Sequence, residues 1–383
     1  MKHLLIFCPL SIGGVAKNTG EQAKAIAGQG VKVSLLCPND WEDDDDRVEN
    51  LSIWKSLHPA PKSGSHSKLK SRLLLVRSIL GNIQILISTI REHGHTHILF
   101  STYLEYLAPI WAWRLRKLRR QGVIFGSMIL DPVRDHQVGP AWWHQFSISE
   151  GYSFISEAFV HQEITLNTNR SMPQLTTTVV PHGPYFYPCP STSRGEIRGK
   201  LGIPENSDVF LSFGHLRDNK NLDLVLDAIA KTTDVHLLVS GSEASPGQKQ
   251  SNYYRALAEK LGINERVHWA IEYISDDKVM NYFLACDYVI MAYADSFRST
   301  SGILHIAAPL KIPILVSCGP SPLGSLVEDY NLGLRFKLVG PDSISHAIDS
   351  IRKSDRSMKS DEFEKDHSYE RNAEIVIERM WAD

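Results

Sequence analysis

The chain has 383 residues, of which 43% are hydrophobic, 22% charged and 9% aromatic. That length suits two domains with sizeable cores and needs no disulfide or metal staples; the composition excludes disordered, collagen-like and coiled-coil chains. Lys and Arg number 41 against 43 Asp and Glu, a formal net charge of −2, so no global field recruits nucleic acid.

At the N-terminus, Leu4–Pro9 is a short apolar run broken by Ser11-Ile12-Gly13-Gly14. It is at the floor of length for a signal peptide, and no small-residue cleavage site follows, so a buried first strand explains it better. Gly14–Gly28 then reads as a helix with Gly30 just past its end, and Val31–Cys37 as a second strand bounded by Pro38. Strand, glycine turn, helix and strand make a βαβ unit with parallel strands buried on both faces. His97–Phe100 and Val123–Ile129 repeat the strand pattern around a helical Tyr103–Arg120. Asp43–Asp46 and Ser63–Ser71 read as solvated loops.

Pro181–Pro190 (PHGPYFYPCP) stiffens the chain and breaks periodicity. The same grammar restarts beyond it. Val209–Phe213, Val235–Ser240, Val267–Ala270, Tyr288–Met291 and Ile314–Val316 read as strands; Leu222–Ala230, Tyr253–Leu261, Asp276–Cys286 and Gly302–Leu310 read as helices. The densely charged Arg352–Glu374 reads as a solvated helix. The expected boundaries are an N-terminal domain over 1–185, a linker over 186–205, a second domain over 206–355 and a C-terminal helix over 356–383.

No uninterrupted apolar run approaches the ~20 residues that span a bilayer. The five cysteines are odd in number, scattered and without a CxxC pair, which argues against a disulfide framework and a zinc knuckle. A cytoplasmic chain is the expectation. Trp111 and Trp113, followed by Arg114, Arg116, Lys117, Arg119 and Arg120, form a basic, aromatic helix. Peripheral contact with the inner face of a membrane and ordinary packing on a sheet both fit that pattern. His93, His95 and His97 alternate without an interleaved carboxylate and read as solvated histidines rather than metal ligands.

The chemistry lies in the loops. Two facing doubly wound domains would put their strand ends on either side of a cleft. Gly13-Gly14 opens the first helix, where free amides and the dipole favour an anion, yet it is not GxGxxG and no ribose-binding acid follows. In SFGHLRDNKN, Gly214 ends a strand, and His215, Arg217 and Lys220 follow; a diphosphate clamp and a solvated basic loop fit equally. Ser301-Gly302 precedes an apolar segment, so the Gly302, Ile303 and Leu304 amides would form a second anion nest, with Ser301 as cap or phosphate ligand.

The Gly-Gly loop, PHG at 181–183, FGxLRxxKN at 213–221, RVHWAIEYISDDKVMNYFLACDYVIM at 266–291 and RxxSGxLxxA ending in Pro313 occur in the order seen in family 4 (group 1) retaining glycosyltransferases, and the whole chain resembles them. The resemblance implies a GT-B fold: α/β, two Rossmann-like doubly wound parallel-sheet domains, with the C-terminal helix crossing back to the first as an option. It implies transfer of a hexose, with UDP-glucose as one donor, to a polysaccharide or lipid-linked saccharide, with retention and no metal or other cofactor. Gly13 and Gly14 would face the distal phosphate, while Arg217 and Lys220 neutralise the diphosphate beside Gly214 and His215. Ile274 would hold the base through its backbone, and Ser301, Gly302, Ile303, Leu304 and Arg298 the phosphates and sugar. Many relatives carry two glutamates eight positions apart where this chain has Arg298 and Ile306; Asp295 and His305 lie near those places. Where relatives have His-Asp, this chain has Leu130-Asp131, leaving Asp131 or His136 toward the acceptor. A silent sugar-nucleotide-binding protein and a GT-B epimerase are the alternatives.

Overall fold

The computed structural model describes residues 2–42, 48–60, 68–130, 137, 139–244, 247–297, 301–355 and 357–382. In chain order the elements are β1 (His3–Phe7), α1 (Gly14–Gly28), β2 (Lys32–Pro38), β3 (Leu51–Leu57), α2 (Lys68–His93), β4 (His97–Phe100), α3 (Ala108–Arg120), β5 (Ile124–Met128), α4 (Ala141–Tyr152), β6 (Glu157–Val160) and β7 (Thr176–Val179). They continue as α5 (Arg194–Leu201), β8 (Asp208–Phe213), α6 (Leu222–Lys231), β9 (Val235–Gly241), α7 (Ser251–Lys260), β10 (Val267–Ile271), α8 (Asp276–Ala285), β11 (Tyr288–Ala292) and α9 (Leu304–Ala307). The last are β12 (Ile314–Ser317), α10 (Pro322–Asp329), β13 (Gly333–Arg335), α11 (Pro341–Arg352), α12 (Ser360–Asp366) and α13 (Tyr369–Met380).

The chain divides into two compact units, Met1–Gly183 with His367–Asp383, and Pro184–Asp366. In the first, seven parallel strands run in the order β3-β2-β1-β4-β5-β6-β7. Its apolar strands are buried on both faces: Leu5, Phe7, Ile98 and Phe100 pack under α2, α3 and α4, whereas Leu4, Ile6 and Leu99 pack under α1 and α13. In the second, six parallel strands run in the order β10-β9-β8-β11-β12-β13. Strand order reverses between β1 and β4, and again between β8 and β11. At such a switch point the two flanking connections diverge to opposite faces and leave a crevice at the strand carboxyl ends.

Four expectations change. The segment 186–205 carries α5, closed by a Ser193–Glu196 capping box and a left-handed Gly202, and it belongs to the second unit. The charged tail is two helices, and the second is amphipathic. Ala373, Val376 and Met380 enter the first core; the buried Asn372 accepts from Gln22 Nε2 at 2.7 Å and donates to the Pro181 carbonyl at 2.7 Å. Gly183 of the PHG motif lies flat against Tyr369, where a Cβ would come within 2.5 Å of the ring. The sequence also hid α2. Arg77, Asn82 and Gln84 interrupt its apolar residues, but Leu73–His93 has a mean hydropathy of 1.8 and the length and composition to cross a membrane. Its second half packs on the sheet through Ile83, Leu86, Ile87 and Ile90.

The histidines near 95 are not all solvated. His95 is buried beside His3 and Trp54, with neither ring nitrogen hydrogen-bonded among the described residues. Burial, reinforced by the charges of His3, His93 and Lys32, pulls it down to about 4. Burial, with His161 beside it, pulls His182 down to about 3. Both are neutral in the fold, whereas the unfolded chain takes up these protons below about pH 6.5. Their stabilising contribution is present above that pH and is lost as the pH falls toward 4 and then 3. Calorimetric Tm should therefore drop by about 5 °C or more between pH 7 and 4.5. His95→Leu should flatten part of that fall; an unchanged slope would show that His95 titrates normally.

Candidate active site

At the β8/β11 switch point, Gly214 turns the chain with φ +90° and delivers His215, Arg217 and Lys220. Neighbouring strand ends are knitted together there. The Gly214 amide donates to the Ser240 carbonyl at 2.8 Å, Leu216 to Ser242 at 2.9 Å and Glu272 to Gly241 at 3.0 Å. Gly241 (φ +143°) has no room for a side chain, since a Cβ would sit 2.1 Å from the Gly214 carbonyl oxygen.

Lys220 folds back over this turn and donates from Nζ to the Phe213 carbonyl at 2.7 Å. Burial, followed by the charge of Arg217, pulls its ammonium down to about 8. Arg217 is exposed, and no carboxylate pairs with it among the described residues. His215 shares a hydrogen bond with Ser242 Oγ at 2.9 Å. Burial and then the two cations lower its pKa, which keeps the ring neutral. Two unneutralised cations over a backbone turn make an anion site whose charge is already in place.

The loop after β11 closes the other side of the crevice. Asn221 donates to the Ala292 carbonyl at 2.8 Å, and the Ala294 amide to the Asn219 carbonyl at 2.9 Å, so the cation loop and the end of β11 are tied. Tyr293 is buried, its hydroxyl 3.0 Å from Ser301 Oγ. Burial pushes the phenol up to about 12, and Arg217 acts electrostatically on it. The cation loop and Ser301 thus belong to one site. The Ser301 hydroxyl is occupied by Tyr293 rather than capping a helix.

The Ser-Gly segment is only partly the expected nest. The helix there is four residues long, and the Leu304 amide donates to the Ser301 carbonyl at 3.0 Å, which uses it up. The Gly302 and Ile303 amides have no such acceptor among the described residues. A Cβ at Gly302 would lie 2.8 Å from the Tyr185 ring, so close aromatic packing requires this glycine. Ile274 is half-buried in the core beside the exposed Tyr273, and Asp295 is exposed. Asp276 and Asp277 open α8 as expected. His305 and Ile306 are both buried, and His305 packs against Phe363, which removes the histidine from any ribose contact. Arg298, Asp131 and His136 lie outside the described residues. In the first unit, Gly13 (φ +88°) caps α1 with no side-chain acceptor, leaving the Gly14 amide at an open helix start by the β1/β4 switch point.

Sequence reasoning missed Tyr293, Gly241 and Tyr185. Gly241 left a trace, as a glycine ending a strand. The partners of the two tyrosines are set only by packing.

Residues 193–374 match the family model described as glycosyl transferases group 1. This stretch is similar to group 1 glycosyl transferases. The D-inositol 3-phosphate glycosyltransferase of Mycolicibacterium smegmatis is 28% identical over 165 residues, 41% of this chain. The chain spans only about a third, 36%, of that curated relative's length. Sucrose-phosphate synthase from Thermosynechococcus elongatus superposes over 100% of this chain and 95% of its own, with a TM-score of 0.65 at 15% identity. Anabaena HepE, solved in complex with UDP and glucose, superposes over 100% of this chain and 96% of its own, with a TM-score of 0.61 at 14% identity. These likenesses, with the two parallel sheets, show a GT-B Rossmann-like fold.

Proposed function

We propose that this protein is a retaining hexosyltransferase that moves a sugar from a UDP-sugar, with UDP-glucose as first candidate, to a growing polysaccharide or lipid-linked saccharide. The observation that carries this reading is the pair Arg217 and Lys220 at the β8/β11 switch point, on a loop tied to the end of β11, where Tyr293 meets Ser301. A sugar nucleotide brings its own leaving group, so the protein must hold two substrates and stabilise the departing diphosphate. In our reading the bond from the anomeric carbon to the phosphate oxygen breaks while the acceptor hydroxyl attacks from the same face. The proton of that hydroxyl goes to the departing UDP phosphate. Arg217 and Lys220 neutralise the growing charge, Ile274 holds the base through its backbone, and Arg298 and Asp295 are assigned to the sugar. Asp131 and His136 are assigned to the acceptor. The solved neighbours in complex with UDP and glucose, and with UDP-2-fluoro glucose for an Escherichia coli protein, support the choice of donor.

Because fixed cations and amides do the neutralising, we expect turnover without a divalent ion. UDP-, GDP- and ADP-sugars should be screened by thermal shift in EDTA, and the hits assayed for transfer and hydrolysis. A UDP-sugar that raises Tm and is turned over in EDTA supports the reading. An absolute requirement for Mn²⁺ or Mg²⁺ would overturn the metal-free mechanism. Binding without turnover would leave a sugar-nucleotide receptor, and conversion without an acceptor an epimerase.

A further inference from the structure

The first unit presents a basic and apolar face that the donor chemistry does not use. α2, α3 and α4 each connect one parallel strand to the next, so all three start at the carboxyl edge of the same sheet and lie in one layer over it. At that edge the layer is apolar and open. Leu73 is 63% exposed, Trp113 55% and Trp142 65%, and Leu75, Ile110 and Phe146 are exposed beside them in sequence. Ordinary packing accounts for only half of the Trp pair in α3, since Trp111 is in the core and Trp113 is not.

α2 also outruns its sheet. Asn82 caps the end of β3, accepting from the His58 amide at 2.7 Å and donating to the His58 carbonyl at 3.0 Å. Ser78 reaches the Pro59 carbonyl at 3.3 Å. The ten residues before Ser78 therefore project about 15 Å past the strand ends. Only 28% of the most apolar window of this helix is buried. α2 and α3 are joined side by side by Arg114 and Gln84.

The charge of the layer selects the occupant. Toward the carboxyl edge α2 presents the exposed Lys70 and Arg77 and α3 presents Arg114, and the only acid of either helix, Glu92, lies near the far end of α2. The one acid of α4, Glu150, is already paired with Arg116 and Arg170. On a chain of net charge −2, these cations, with Arg91, Lys117, Arg119 and Arg120 further along the same layer, make it net basic. Exposed leucines and tryptophans within such a basic layer match an anionic headgroup layer over an acyl core.

We propose that this face docks on the surface of an anionic bilayer, through the projecting half of α2 and the first turns of α3 and α4. The core contacts of Ile83, Leu86, Ile87 and Ile90 anchor the rest of α2 in the fold, so the helix lies on the membrane rather than through it.

The test is co-sedimentation of the full chain with phosphatidylcholine vesicles containing 30% phosphatidylglycerol, and with phosphatidylcholine alone, at about 50 and 500 mM NaCl. The expected result is binding to the anionic vesicles that weakens at high salt. Arg77→Glu should weaken it at least about fivefold, the worth of one surface cation. Leu73→Glu with Leu75→Glu should abolish it, and because both residues are exposed, Tm and far-UV circular dichroism should stay unchanged. No binding to anionic vesicles at low salt overturns the proposal, as does binding that survives both variants. Self-association or RNA binding without vesicle binding overturns it equally. Thermal shift with UDP-glucose on the same preparation reads the donor site independently, so the two proposals fail separately.

Discussion

Replacing Arg217 or Lys220 by alanine should lower kcat/KM for the sugar nucleotide by about 10- to 150-fold. That is the worth of one charge-assisted hydrogen bond, ~1.5–3 kcal/mol, felt in the transition state. Charge grows on the phosphate oxygens as the glycosidic bond breaks, so part of the loss belongs in kcat. Arg217 is exposed, and its loss should leave Tm unchanged. Lys220→Ala also loses the bond to Phe213 and should cost about 1 kcal/mol of stability. The depressed ammonium gives a second signature. Free enzyme loses the Lys220 proton as pH rises through about 8, whereas a bound diphosphate favours the charged form. UDP binding should weaken above pH 8 and take up a proton there, read by calorimetry in buffers of different ionisation enthalpy. The uptake should vanish in Lys220→Ala. His215→Ala should cost less, because its ring supplies no fixed charge. Near-normal turnover in both cation variants would disprove the leaving-group site.

The second large effect is structural. Gly241→Ala forces a Cβ to within 2.1 Å of the Gly214 carbonyl, in a backbone conformation that L side chains rarely adopt. Strain and overpacking of this kind together cost about 3 kcal/mol. Tm should fall by about 6–12 °C in calorimetry, and UDP affinity should fall with it because Gly214 and its cations ride on the same turn. Gly199→Ala, with open space around the added methyl in α5, should be neutral or mildly stabilising. A Gly241→Ala protein as stable as that control would show that the strand ends are not locked together.

Much of the fold was legible in the chain. β1, β2, β8, β9 and β12 are short apolar runs closed by glycine, serine or proline, which is how strands buried on both faces must look. Their alternation with helices dictated two parallel sheets. The cation loop was legible for the same reason, because a glycine that ends a strand and two cations before a helix are local features. The other elements of the first unit were less so. β3 is a half-exposed edge strand, and the polar residues within α2 hide its length.

Tertiary structure decided which side of each element meets what. The sequence determined a basic, aromatic helix at Ala108–Arg120, but only packing put Trp111 in the core and Trp113 in solvent. It determined a Ser-Gly turn, but only the fold spent the Leu304 amide inside that turn and paired Ser301 with Tyr293. It determined a charged tail, but only the fold joined Asn372 to Gln22 across 350 positions of chain. Local propensity and periodicity depend on neighbours within a few residues. Burial, pairing and pKa depend on groups brought together from distant parts of the chain, and those are fixed only when the core closes.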